Sequence, residues 1–306
     1  MKHRFLLILA LGLLSGALTG CNSQEPEKNQ GPQFGAKPSA TAVPVYRFGV
    51  HPLHNPAKLM LVYQPLIDYL NVRLQGAQLE LEASRDYANF EEKYNARTLE
   101  FLLPNPWQTM QAMKKGYHVI ATAGEAKDFK GIFLVRKDSG IKQPTDLKGK
   151  AVSYPSPTAL AACIMPQYYL HNHGIDINKD IENRYVGSQE SSIMNVYIGE
   201  TAAGVTWPPP WRTFENDHPK EAAELMLIWE TEPLINNSIM VRDDIPAGIR
   251  DQVRSLLVGL GETTDGQSIL VKTETSRFIP ASDQDYNVVR DYVTRFEQEV
   301  RPVEKK

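Results

Sequence analysis

Five short segments concentrate side chains able to hold a small molecule. His51-Pro52-Leu53-His54-Asn55 carries two imidazoles that either donate to an anion, bind a metal or merely cap a following helix. Pro104-Asn105-Pro106-Trp107 offers an amide and an indole with one N–H and a broad apolar face. Tyr154, Ser156 and Thr158 place three hydroxyls just ahead of Ala159-Leu160-Ala161-Ala162-Cys163. Gly187-Ser188-Gln189-Glu190 adds a neutral donor-acceptor and a carboxylate, and Glu190 alternatively just complements a helix dipole. Trp207-Pro208-Pro209-Pro210-Trp211 sets an indole in a proline-stiffened loop, where Trp207 either closes over a ligand or lies buried in a rigid turn. Hydroxyls and amides at helix N-termini suit an oxyanion. Trp107, Tyr154 and Trp207, with or without Trp211, would instead form with Glu190 an aromatic box with a carboxylate, which suits an amine through cation–π attraction. Cys163 is either a small buried apolar side chain or a ligand for a soft species.

The same search finds no catalytic signature. There is no G-x-S-x-G elbow, phosphate-binding Walker loop, C-x-x-C or H-E-x-x-H motif. His171 and His173 are two apart on the end of an expected helix, a spacing that does not suit one shared metal. The expectation is a binding protein and not an enzyme, with neither cofactor nor metal.

The elements that must position these residues alternate strand and helix. Val45–His51 reads as a strand; Asn55-Pro56 reads as an N-cap followed by proline, opening an amphipathic helix to about Leu74. Strands are expected at 78–83, 99–103 and 117–122, with helices over 86–96 and from 106 to 115. A second unit follows: strands at 131–136, 151–154, 184–186 and 202–206, and helices over 157–171 and 188–198. Further strands are expected at 225–229 and 238–241, with helices over 246–260 and from Ser282, whose Asp285 completes a capping box. Such alternation predicts an α/β fold with helices wrapping sheets.

Composition agrees with a folded binding protein. The 306 residues are 42% hydrophobic and 23% charged, with a formal net charge of −3. That balance argues against a nucleic-acid partner, since duplex binding relies on a basic surplus. Lys2 and Arg4 precede an apolar run, Phe5–Leu18, that is short for a lasting membrane span. The run ends in Leu18-Thr19-Gly20-Cys21, which resembles the bacterial lipoprotein signal. That resemblance implies a signal peptide over 1–21, a lipid (palmitate among its acyl groups) on Cys21, and attachment on the periplasmic side of a bacterial membrane. Loss of Lys2 and Arg4 takes the charge from −3 to −5. Residues 22–44, rich in Pro, Gln, Ser, Gly and Lys, read as a flexible tether.

The mature chain resembles the phosphate/phosphite/phosphonate-type solute-binding proteins of ABC transporters. The resemblance rests on FGVHP at 48–52, YQPLIDYL at 63–70, DYANFEEKY at 86–94, LVRKDSGIKQPTDLKGKAVSY at 134–154 and VGSQESSIMNVYIGE at 186–200. It implies a two-lobed type II periplasmic-binding-protein fold: lobe 1 at 45–128 and 236–306, lobe 2 at 129–235. Two crossing strands would join them, near 125–136 and 227–240. It implies a ligand in the interlobe cleft, held by His51, Asn105, Trp107, Tyr154, Ser156, Thr158, Gln189, Glu190 and Trp207. The site departs from the family pattern. Trp107 stands where relatives often have tyrosine, and Ala159–Ala162 stands where relatives carry a Ser-Thr-Ser-Gly cradle. Gln189-Glu190 replaces His-Asp. Losing several hydroxyl donors weighs against tight phosphate or phosphonate binding. The implied partner is an ABC permease or, by analogy with oxyanion-sensing relatives, a membrane sensor kinase to which an oxyanion, amine or arsenite-like ligand is presented, trivalent arsenic being one for Cys163. The protein is expected to be a monomer.

Overall fold

The computed structural model describes residues 43–303; Cys21, the signal segment and the tether up to residue 42 lie outside the described residues. Eleven strands and ten helices are described. The strands are β1 Val45–Val50, β2 Gln78–Glu82, β3 Phe101–Leu103, β4 Tyr117–Ala123, β5 Ile132–Arg136, β6 Ala151–Tyr154, β7 Glu182–Tyr185, β8 Ala203–Thr206, β9 Leu225–Glu230, β10 Ser238–Arg242 and β11 Phe278–Pro280. The helices are α1 Pro56–Arg73, α2 Tyr87–Asn95, α3 Pro106–Met113, α4 Met165–Asn172, α5 Gln189–Tyr197, α6 Pro208–Asp217, α7 Pro219–Ala222, α8 Ala247–Val258, α9 Thr264–Lys272 and α10 Asn287–Glu299. A π turn over Leu160–Ile164 runs straight into α4. Among the described residues no helix is long and apolar enough to cross a membrane.

Two sheets form, as the alternation predicts. The first has the order β11-β4-β10-β3-β1-β2, the second β7-β6-β8-β5-β9. β1 runs parallel to β2 and β3, and β6 runs parallel to β7 and β8. Each sheet therefore presents three carboxyl ends along one edge. β10 enters the first sheet antiparallel between β3 and β4, and β5 enters the second antiparallel between β8 and β9. The chain crosses from β4 to β5 through residues 124–131 and returns from β9 to β10 through 231–237. The crossings are bonded side by side: Thr231 N–H donates to Gly131 O (2.9 Å), and Leu234 N–H to Phe129 O (2.9 Å).

The core follows the layers. One cluster lies between the first sheet and α1, α8 and α9, around Phe48, Leu66, Phe101 and Leu257. A second is continuous from the first sheet to the second, joining Tyr94, Trp107 and Tyr117 to Phe133, Tyr154 and Leu160. Helix α10 packs on α3 and also reaches α4. There Tyr168 OH donates to Glu299 (2.9 Å), and its ring meets Tyr292 edge-on.

Three local expectations change. The proline run at 208–210 does not form a loop but opens α6, because proline is tolerated where the first helical N–H groups lack partners anyway. The helix expected from 157 starts at 160, since Ser156 and Thr158 fold into a turn closed by Ala159 N–H to Ser156 O (3.2 Å). The last helix is preceded by a 3₁₀ turn, Asp283–Tyr286, which carries the Ser282–Asp285 capping box.

Candidate functional site

One small cavity gathers residues from both sheets. Its walls are His51, Tyr87, Asn105, Phe129, Ala159, Leu160, Ala161, Ala162, Gln189, Trp207 and Asn237, and it has room for about one water molecule. The origin of these residues is regular. His51 follows β1, the turn ending at Tyr87 follows β2, and Asn105 follows β3. From the second sheet, Ala159–Ala162 follow β6, Gln189 follows β7 and Trp207 follows β8. Phe129 and Asn237 come from the two crossings. Six strand ends and both crossings thus meet where α/β sheets place ligands.

Five helices begin at these same positions. Tyr87 opens α2, Asn105 caps α3, Ala159 precedes the π turn, Gln189 opens α5 and Trp207 precedes α6. Their positive dipole ends converge on the cavity. Three of these helices are capped by their own side chains: Asp86 accepts from Asn89 N–H (2.8 Å), Asn105 from Trp107 and Gln108 N–H (2.9 and 3.1 Å), and Ser188 from Ser191 N–H (3.0 Å). α6 begins with three prolines and has no N–H to give there. The π turn has no side-chain cap, and its first internal bond is Ile164 N–H to Ala159 O (3.1 Å). Helix geometry therefore leaves the N–H groups of Leu160–Cys163 without intrahelical partners, and Leu160–Ala162 stand in the wall of the cavity.

The polar side chains have fixed roles. His51 Nδ1 lies 2.9 Å from Leu103 O, which can only accept, so Nδ1 carries the proton. Burial holds this ring neutral, its pKa pushed down to about 4, and Nε2 keeps its lone pair. Thr206 donates to Gln189 Oε1 (2.8 Å) and Gln189 Nε2 donates to Tyr87 OH (3.1 Å). That chain occupies the Tyr87 oxygen as an acceptor and leaves its proton to give. Burial also keeps the Tyr87 phenol protonated. Asn105 Nδ2 donates across the cleft to Thr158 O (3.2 Å). Trp207 stacks at a tilt on Phe129, 5.5 Å between centroids.

The sequence-expected residues divide into two groups. His51, Asn105, Gln189 and Trp207 come together in the cavity. Trp107 does not: it is 2% exposed in the core beneath α3. Tyr154 is fully buried in that same core, 6.0 Å from the Tyr185 ring. Ser156 and Thr158 bond to each other (3.0 Å), and Thr158 donates to Glu91 across the cleft (2.7 Å), so their hydroxyls close the cleft instead of lining the cavity. Glu190 sits at a neighbouring pocket with Lys58, Asp217 and His218, 3.5 Å from His218. The aromatic box of Trp107, Tyr154, Trp207 and Glu190 is therefore not assembled, since two of its members lie in the core and one outside the cavity. Cys163 is buried with its thiol pushed up to about 12 by desolvation, and Arg301 Nη2 lies 3.6 Å from its sulfur. Among the described residues no three His, Cys, Asp or Glu side chains cluster to hold a metal.

Tyr87, Phe129, Leu160 and Asn237 were not singled out as ligand residues from sequence. Tyr87 and Asn237 had a signal: each begins or precedes an element at a strand end or a crossing.

Two helix-flanked sheets, crossed twice, with a cavity at their facing strand ends, define the two-lobed solute-binding class. The family described as "ABC transporter, phosphonate, periplasmic substrate-binding protein" matches residues 48–286, and the chain belongs to it. The probable ABC transporter phosphite binding protein PhnD1 of Prochlorococcus marinus (strain MIT 9301) is 25% identical over 186 residues, 56% of this chain and 63% of that protein. The solved structure of PhnD1 from that organism, in complex with methylphosphonate, has a TM-score of 0.76 at 20% identity and covers 83% of this chain and 98% of that one. The tetrathionate sensor histidine kinase TtrS of Salmonella typhimurium (strain LT2) is 25% identical over 150 residues, 46% of this chain and 25% of the kinase. The chain thus spans less than two thirds of the length of these two relatives.

Proposed function

We propose that this protein is an extracytoplasmic solute-binding protein, tethered through lipid on Cys21, that captures a small tetrahedral oxyanion of the phosphonate, phosphite or phosphate kind and presents it to an ABC permease. One observation carries the reading: five helix N-termini converge on a cavity lined by neutral donors, and no Lys, Arg, Asp or Glu side chain is among its walls. The family's usual hydroxyl cradle is missing, but the uncapped N–H groups of the π turn supply donors at the same place. Similarity to a phosphite-binding protein supports the ligand class.

In this reading the lobes are 45–128 with 236–306, and 129–235, and the two crossings are the hinge. A ligand of several atoms exceeds the space for one water, so the lobes must part to admit it. Asn105 to Thr158, Thr158 to Glu91 and Gln189 to Tyr87 are the bonds that close behind it. The protein binds without turnover and acts as a monomer.

A second reading has one specific support, the similarity to a sensor histidine kinase: the closed form would contact a membrane kinase in place of a permease. Thermal shift and calorimetry on residues 43–306 test the ligand class with methylphosphonate, phosphite and phosphate. Ligand at a hundred times Kd stabilises by about 2.7 kcal/mol, so binding is visible as a raised Tm. No shift with any of the three at millimolar concentration refutes the oxyanion reading.

A further inference from the structure

We infer that the cavity selects a singly charged oxyanion that still carries an acidic O–H, with Asn237 Oδ1 and His51 Nε2 accepting that proton side. The inference rests on the oxyanion reading above and deepens it.

Asn237 lies at the end of the return crossing and walls the cavity. It is 3% exposed, and its Oδ1 is buried with no hydrogen-bond partner. Its backbone is fully used: the N–H donates to Asn236 Oδ1 (2.8 Å) and the carbonyl accepts from Ala123 N–H (2.7 Å). A buried acceptor left unpaired is costly, so such an atom marks a place for a donor. His51 adds a second acceptor to the same walls. Its only protonated nitrogen is committed to Leu103 O, so Nε2 can only accept.

The same walls carry donors: the Tyr87 hydroxyl and the N–H groups at Leu160–Ala162, which have no intrahelical partner. A tetrahedral monoanion with one O–H matches both halves, its bare oxygens on the donors and its hydroxyl on an acceptor. A dianion would bring lone pairs against Oδ1 and Nε2 with no lysine or arginine among the walls. Its desolvation cost also grows as the square of its charge. A sulfonate has the right charge and no proton to give.

The titratable groups near His51 leave the assay window clear. Tyr87 on α2 faces its ring at 6.1 Å and His54 lies on the same loop, with Lys58 and Asp217 beyond it. Cys163 on the π turn and Glu91 on α2 act on Tyr87. Tyr87 and Cys163 are shifted upward and His54 is pushed down to about 4, so none of the three changes charge between pH 6 and 9.

The experiment is calorimetry with methylphosphonate, inorganic phosphite and methanesulfonate from pH 6 to 9. Methylphosphonate should bind at least about tenfold more tightly than methanesulfonate at pH 6, the value of one buried hydrogen bond. Its affinity should fall about tenfold per pH unit above its second ionisation. Asn237→Ala should narrow the gap between the two ligands, and the wild-type profile needs no variant to be read. Equal binding of methanesulfonate, or methylphosphonate affinity that holds or rises above its second ionisation, overturns the inference and leaves the oxyanion reading intact. Failure of all three ligands to bind overturns both.

Discussion

The two loop histidines should make the protein acid-sensitive well above the carboxylate range. His51 and His54 are both held down to about 4, from an ordinary 6.5, chiefly by desolvation. The folded form therefore refuses protons that the unfolded chain accepts. Stability from this source is complete above about pH 7 and is lost as pH falls through 6.5 toward 4. For His51 the linkage comes to about 2 kcal/mol at pH 5. His54, partly reached by solvent, adds less, and together they give about 3 kcal/mol. For a chain of this size that is a fall in Tm of about 6–12 °C between pH 7.5 and pH 5. Asp86, Asp146 and Asp180, whose pKa values are lowered by hydrogen bonds and salt bridges, lose their contribution only further down, so the window belongs to the histidines. The assay is differential scanning calorimetry of wild type and His51→Gln/His54→Gln at both pH values. The double variant should show at most half the acid-induced drop. If the two proteins track each other from pH 7.5 to 5, burial of neutral imidazoles is not what the loop contributes.

Three further outcomes follow from the packing. Trp107→Ala should cost about 3–5 kcal/mol of stability by emptying a core site, while the methylphosphonate Kd of the folded fraction changes less than about threefold; a Kd loss above tenfold with unchanged Tm would return Trp107 to the cleft. Gly131→Ala would place a methyl 2.5 Å from Pro166 Cγ and closer still to the Ala161 carbonyl. The π turn must then move, and methylphosphonate affinity by calorimetry should drop about tenfold or more. Thr206→Val removes the donor that sets the Gln189 amide, which frees Tyr87 to turn its proton away. About 1–2 kcal/mol of binding should go, and unchanged affinity would detach this chain from the site.

Much of the scaffold was legible because its signals are local. Asn55-Pro56 and Asn105-Pro106 mark helix starts that the structure keeps, Ser282 with Asp285 forms its capping box on a 3₁₀ turn ahead of the last helix, and the strand–helix alternation gives both sheets. What escaped is set by geometry at longer range. Trp107 shares the α3 N-terminus with Asn105, yet Asn105 caps at the cavity and Trp107, two residues on, turns into the core. Two steps along a helix are about 200°, and no residue pattern at 104–107 says which side faces the ligand. The three prolines read as a stiff loop, although the same residues are tolerated at a helix start. Ser156 and Thr158 have the right chemistry for an anion, but a turn and Glu91, 67 residues upstream of Thr158, take their hydroxyls. Asn237 escaped because its meaning lies in an unpaired atom, which only packing can reveal.

The chain's end has a mechanical consequence. Arg301 donates to Gln167 Oε1 (2.8 Å) and Pro157 O (3.1 Å), and Asn178 Nδ2 holds Val300 O (3.1 Å). Leaving α10, the last described residues thus stitch themselves to the second sheet's side, against the very stretch that leads into the uncapped turn. On the proposed hinge reading, a body joined at two crossings could pivot and also twist, and a third stitch away from them would restrain the twist. On that reading a deletion from Glu299 onward should act as a change of gearing, altering how far and along what path the halves part while every wall of the cavity keeps its residues.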